Sequence, residues 1–135
     1  MVKSRNRSKD TRAEVLLRKA LTQHGLRYRI HVSSLPGRPD IVFSRPQIAV
    51  FCDGDFWHGR NWRARRSRLN RGANADYWTQ KIRYNIDRDR RQTRELERAG
   101  WVVVRLWETD VLRSPRSAVR RVKEALHKRT SSTRS

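Results

Sequence analysis

Apolar residues first recur at helical spacing between Thr11 and His24, where Ala13, Leu16, Leu17, Ala20 and Leu21 share one face and Gly25 marks the end. Leu26, Tyr28, Ile30 and Val32 then alternate with Arg27, Arg29 and His31, the period of a half-buried strand. After the turn-rich SSLPGRP, two short apolar runs, Asp40 to Phe43 and Gln47 to Cys52, are split by Ser44, Arg45 and Pro46, which predicts a hairpin of partly buried strands. No period is present from Gly54 to Asn74, where six residues are Arg and Trp57 and Trp62 stand among them. A loop of that length in a small domain is functional or disordered. Helical spacing returns from about Ala75 to Ala99, with Trp78, Ile82, Ile86 and Leu96 along a buried stripe and Gly100 as the stop. WVVVRLW (101–107) is the strongest strand pattern in the chain, and a final helix opens with Ser114 as cap and Pro115 in its first position, burying Ala118, Val122 and Leu126. The predicted order is α, β, β, β, α, β, α, without internal repeats.

At 135 residues the chain holds one domain, placed at 11–127 between a basic flexible arm (1–10) and a basic flexible tail (128–135). Hydrophobic residues make up 36%, enough for a small core, and no apolar run is long enough for a membrane span or a signal peptide, so a soluble, cytoplasmic protein is expected. A single cysteine, Cys52, excludes an intramolecular disulfide and a cysteine-cluster zinc site, leaving oxygen or histidine as metal donors.

Charge changes the picture most. Lys and Arg total 33 against 13 acids, a net charge of +20, and all but six of the 33 are Arg. Such an excess repels itself and calls for a polyanion, and the guanidinium fork suits phosphate oxygens and base edges. Composition alone fits a ribosomal-type or other passive RNA binder at least as well as an enzyme.

Five polar residues bear on that choice. Glu14 lies three residues after Thr11, the spacing of a capping box, and a structural role there is sufficient. Asp40 enters an apolar strand, where Asp is disfavoured unless it caps a turn or serves a site. His58 follows a strand in CDGDFWHGR and is either a solvated loop histidine or a proton acceptor near neutral pH. Asn85 and Asp89 share the buried face of the second helix with Ile82 and Ile86, where polar groups need partners, and Arg83 and Arg90 point elsewhere around that helix. Carboxylates with an imidazole on a basic scaffold are what metal-assisted phosphodiester hydrolysis needs, whereas acids aimed at a passive phosphate-binding surface would repel the ligand.

SLPGRPDIVF (34–43), AVFCDGDFWHGR (49–60), YWTQKIRYNIDRDRR (77–91) and GWVVVRLWE (100–108) together resemble the very-short-patch repair (Vsr) endonucleases, which nick DNA beside a T:G mismatch. The likeness spans residues 8–108. It implies a restriction-endonuclease-like fold of the PD-(D/E)xK type, a mixed sheet flanked by helices, acting with Mg²⁺ on double-stranded DNA, alongside other repair or methyltransferase-associated proteins. By the same resemblance Asp40 matches a metal-binding aspartate and His58 the histidine acting on the attacking water. Glu14 matches an acid at the outer shell of the metal, and Asp89 an acid on the second helix beside Asn85. Phe56 and Trp57 match aromatic residues wedged into the base stack, although core packing would also explain them. Arg38, Arg60, Arg63, Arg65 and Arg66 are the candidate DNA contacts around them. Two departures stand out: Cys52 replaces a Thr whose backbone carbonyl supports the metal, and Asp55, Arg60, Trp62 and Thr109 occupy positions where many members hold structural zinc, so zinc is not expected. The same motifs resemble homing and phage nucleases of this type, which leaves a sequence-specific nuclease without mismatch preference, or a non-catalytic DNA-binding protein, as alternatives.

Overall fold

A computed structural model describes residues 11–55, 58–62 and 75–134. Helix α1 (Arg12–Gln23) starts where the Thr11 hydroxyl accepts the Glu14 N–H at 3.2 Å. It stops at Gly25, whose φ of 77° lets Gly25 N–H reach Thr22 O and Leu26 N–H reach Leu21 O, satisfying carbonyls the helix end leaves open. Strands β1 (Ile41–Phe43) and β2 (Ile48–Asp53) form the predicted antiparallel hairpin, with Ile41 opposite Val50. Helix α2 (Ala75–Arg98) then crosses over to β3 (Val102–Trp107), which pairs parallel to β2 with Cys52 opposite Leu106. A short helix α3 (Glu108–Arg113) and a long α4 (Pro115–Arg134) complete the chain.

The result is an α/β fold around a mixed sheet in the order β1-β2-β3. All six residues of β2 are buried because the strand is central and covered on both faces. Ile48, Val50 and Cys52 pack with Leu17, Leu21, Val104, Leu106, Val119 and Val122, while Ala49 and Phe51 pack with Leu96 on the α2 side. Alternation along β2 therefore sends Asp53, the last residue, toward α2 as well. Among the described residues no helix is long and apolar enough to cross a membrane.

Two expectations are corrected. The strand foreseen at 26–32 is a single bridge, Arg29 to Val42, because His31 turns to a φ of 57° and Ile30 stays 36% exposed, although Leu26 and Tyr28 do pack on the core. Helix α3 was not foreseen. The segment expected as a flexible tail continues α4 to Arg134, and within it Arg129 donates to Pro46 O at 2.9 Å and to Gly100 O at 2.5 Å, tying the helix to the hairpin turn and the entry to β3.

Candidate active site

The candidate residues gather at the carboxyl ends of the parallel strands β2 and β3, where open α/β sheets commonly present their sites. Asp40 stands just before β1. Its N–H donates to Val50 O at 2.9 Å, and its Oδ2 accepts the Cys52 N–H at 2.6 Å, so the side chain replaces a β1 backbone partner that the short strand does not supply. Burial pushes the Asp40 carboxyl up to about 7, the Cys52 N–H opposing and the charges of Glu14, Asp53 and Glu108 adding to the rise. The N–H and C=O of one strand residue leave by the same edge, so the Cys52 carbonyl faces the Asp40 side. Its thiol packs in the core and is held protonated by burial and by Asp40, which removes it as a nucleophile.

His58 lies in a turn whose backbone closes from His58 N–H to Gly54 O at 3.0 Å. Its Nδ1 is 2.5 Å from Asp89 Oδ2 on α2 and 3.7 Å from Asp53 Oδ1. Burial works against charge on the imidazole, but the Asp89 hydrogen bond and the nearby Asp53 outweigh it and raise the pKa above its ordinary value. Burial likewise favours neutral Asp89, and His58 overcomes it and lowers that carboxyl. The arginine on Asp89 is its neighbour Arg88, at 3.3 Å, and not Arg83 or Arg90. A neutral His58 that donates from Nδ1 to Asp89 leaves Nε2 as its proton acceptor.

The turn can approach α2 only because Gly59 has no side chain. Its φ is 78°, and a Cβ there would lie 2.4 Å from Ile86 Cδ1. Gly59→Ala should therefore shift the His58 turn, lowering single-turnover DNA cleavage by about tenfold or more and stability by about 1–3 kcal/mol. Cleavage and melting at wild-type levels would show that the turn has no need of this packing.

Sequence reasoning missed three residues of this cluster. Arg105 donates from Nη1 to both Asp53 oxygens at 3.0 and 3.1 Å and from Nε to Thr93 Oγ1 at 3.0 Å, with its guanidinium 4.0 Å above the Phe51 ring. Burial pushes Asp53 up against the pull of Arg105 and His58. Glu108, the first residue of α3, is pushed up by burial, with Thr11 hydrogen bonding in opposition and Glu14 and Asp55 adding like charge. A charge inside WVVVRLW and acids ending two apolar runs were the signals.

Glu14 is 7% exposed on the α1 side of the site, 3.9 Å from Arg18. Asn85 is buried one turn before Asp89. Arg38 is exposed in the turn ahead of Asp40 with a φ of 51°. Arg60, expected at the DNA, bonds within the protein to Asp55, Thr109 and Asp110. Phe56, Trp57, Arg63, Arg65 and Arg66 lie outside the described residues. Among the described residues no three His, Cys, Asp or Glu side chains form a cage for a metal ion. A single carboxylate with a backbone carbonyl does suit Mg²⁺, which keeps several waters and takes substrate phosphate oxygens, and the mutually repelling acids around Asp40 are a setting that a cation relieves.

A family profile described as DNA mismatch endonuclease Vsr matches residues 1–64. The Type II nicking enzyme V.HpaIIP of Haemophilus parainfluenzae is 39% identical over 128 residues, covering 95% of this chain and 89% of the relative. Type II nicking enzyme V.NmeDIP of Neisseria meningitidis serogroup C is 40% identical over 121 residues, with 90% and 80% covered. DNA mismatch endonuclease Vsr of Escherichia coli K12 is 37% identical over 101 residues, with 75% and 63% covered.

Proposed function

The chain belongs to the Vsr family and is a DNA endonuclease, and from that premise we propose that it nicks one strand of duplex DNA at a T:G mismatch in a Mg²⁺-dependent reaction. The observation that carries the chemistry is His58 held through Nδ1 by Asp89 at 2.5 Å, at the same strand ends as a half-buried, hydrogen-bonded Asp40. Its core is read as restriction-endonuclease-like, of the PD-(D/E)xK type.

Asp40 and the Cys52 carbonyl would hold the ion, with Glu14 at its outer shell. Bound there, Mg²⁺ supplies charge neutralisation for the phosphorane-like oxygens and polarises the attacking water. His58 takes the proton of that water at Nε2, and Asp89 keeps the ring in that tautomer and stabilises the imidazolium formed. Asp53 sits at longer range on the same imidazole, and Arg105 fixes its carboxylate in place. Phe56 and Trp57 open the stack at the mismatch, where separating a pair costs least, and Arg38, Arg63, Arg65 and Arg66 bind the backbone. Structural zinc has no part in this reading.

Matched duplexes, one T:G and one fully paired, with and without Mg²⁺ after chelator treatment, test these points together. Nicking of the T:G strand alone, restored by Mg²⁺ without zinc, is the expected result. Equal nicking of both duplexes removes the mismatch preference, and activity that returns only with zinc removes the metal assignment. The names of V.HpaIIP and V.NmeDIP, which speak of nicking and not of mismatch, favour sequence-specific nicking as the second reading.

A further inference from the structure

We propose that Arg60 is a positioning residue that braces the His58 turn against the start of α3. The reading rests on the endonuclease activity and is independent of the mismatch preference. Arg60 Nη1 donates to Asp55 Oδ2 at 3.0 Å, to Thr109 Oγ1 at 3.0 Å and to Asp110 Oδ1 at 3.1 Å. Asp55 closes the same cluster by accepting the Thr109 N–H at 3.1 Å and the Thr109 hydroxyl at 2.6 Å. The guanidinium also lies 5.5 Å from the centre of the Trp107 ring, at the end of β3. These bonds join segments roughly fifty residues apart in the chain, a separation whose closure is entropically unfavourable without such a crosslink.

The brace has a definite position relative to the chemistry. Asp55 and Arg60 flank His58 in the turn, while Thr109 and Asp110 directly follow Glu108, one of the acids that act on Asp40. Arg60 thus links the part of the chain that carries the imidazole to the part that borders the Asp40 acids. Beyond the brace, the turn meets α2 through the bond of His58 to Asp89 and the packing of Gly59 on Ile86. Burial works against the Asp55 charge, but the Thr109 and Arg60 hydrogen bonds overcome it and hold the carboxyl below its ordinary value. Asp55 therefore stays ionised across the neutral range. The two Nη1 N–H groups are shared among two carboxylates and a hydroxyl while the guanidinium lies by the Trp107 ring, a combination that a lysine ammonium reproduces only in part.

Partly exposed ion pairs contribute little to global stability, so a brace of this kind acts on local geometry and therefore on rate. Arg60→Met, assayed on whichever duplex the wild type nicks, should slow single-turnover cleavage by about tenfold at saturating protein. DNA affinity and its salt dependence should stay unchanged, and amide hydrogen exchange should quicken in residues 54–62 and at the start of α3. Arg60→Lys should fall between wild type and Met, and Asp110→Asn, which leaves Asp55 and Thr109 in place, should have the smallest effect. These two conservative variants carry the test if Arg60→Met does not fold. The proposal is overturned if Arg60→Met weakens binding and lowers the salt slope by about one while the saturated rate is unchanged, the signature of a phosphate contact. Unchanged rate and exchange in every variant would overturn it equally.

Discussion

Replacing Asp40 with Asn or Ala should lower Mg²⁺-dependent nicking by about three orders of magnitude or more, the scale of losing the charge that holds a catalytic ion, while duplex binding persists. The arginines proposed to bind the DNA backbone are untouched by either change. Alanine strands the Cys52 N–H that Asp40 accepts at 2.6 Å, which costs about 1–3 kcal/mol, so the asparagine variant is the cleaner comparison because its amide oxygen can keep that bond. Its behaviour with pH is informative. Burial raises the Asp40 carboxyl from 3.8 to about 7, so ionising it opposes folding, and that opposition grows as pH rises from the first value toward the second. Without divalent ions, Asp40→Asn should therefore melt above wild type at pH 7.5 and show little difference at pH 4. A variant that nicks normally removes Asp40 from the active site, and one that melts lower at both pH values removes the account of its strained charge.

His58→Ala should slow nicking by about two orders of magnitude or more at neutral pH, the usual scale for a positioned base. Only neutral His58 can accept a proton, and its pKa lies above the ordinary 6.5, so the wild-type rate should rise with pH through a midpoint above 6.5 and then level off. Asp89 is the main cause raising that midpoint, and Asp89→Asn should move it down toward 6.5. The paired imidazolium contributes stability fully below about 6.5 and loses it as pH passes the folded pKa. Single-turnover rates from pH 5.5 to 9 for the three proteins decide the matter. A flat His58→Ala profile at the wild-type rate would make His58 a loop residue only.

Apolar patterning revealed most of the frame, because β3, α1, α2 and α4 bury positions at the spacing of their element, while β1 and β2, buried along their whole length, show as short continuous apolar runs. It misled at 26–32, where alternation was real for Leu26 and Tyr28 but a backbone reversal at His31 ends the pairing after one bridge. Helix α3 escaped because six residues carry too few turns to show a period. At the site, the pairing of His58 with Asp89 joins residues 31 apart in the chain, and the sequence groups them only by their chemistry and by the resemblance to a nuclease family, without showing the contact itself. Arg105 was hidden in plain view, since a strand interior gives no hint that its charge is answered by Asp53 on the neighbouring strand. Arg60 reads in the sequence as a candidate DNA contact beside the aromatic pair, and local composition cannot show that Asp55 and Asp110 converge on it.

The parallel pairing of β2 with β3 has a consequence for how the chain acquires its activity. The β1–β2 hairpin needs only a short local turn, whereas β3 can join β2 only after roughly fifty intervening residues, α2 among them, have been brought around, and such non-local closure comes late in folding. His58 waits on Asp89 from α2, and Asp53 waits on Arg105 from β3. During synthesis the residues of the hairpin, Asp40 and Cys52 among them, leave the ribosome before those partners. A nascent chain therefore carries many of the DNA-attracting arginines before it carries an assembled cutting centre, and the genome is exposed to the nuclease only once the last strand has docked.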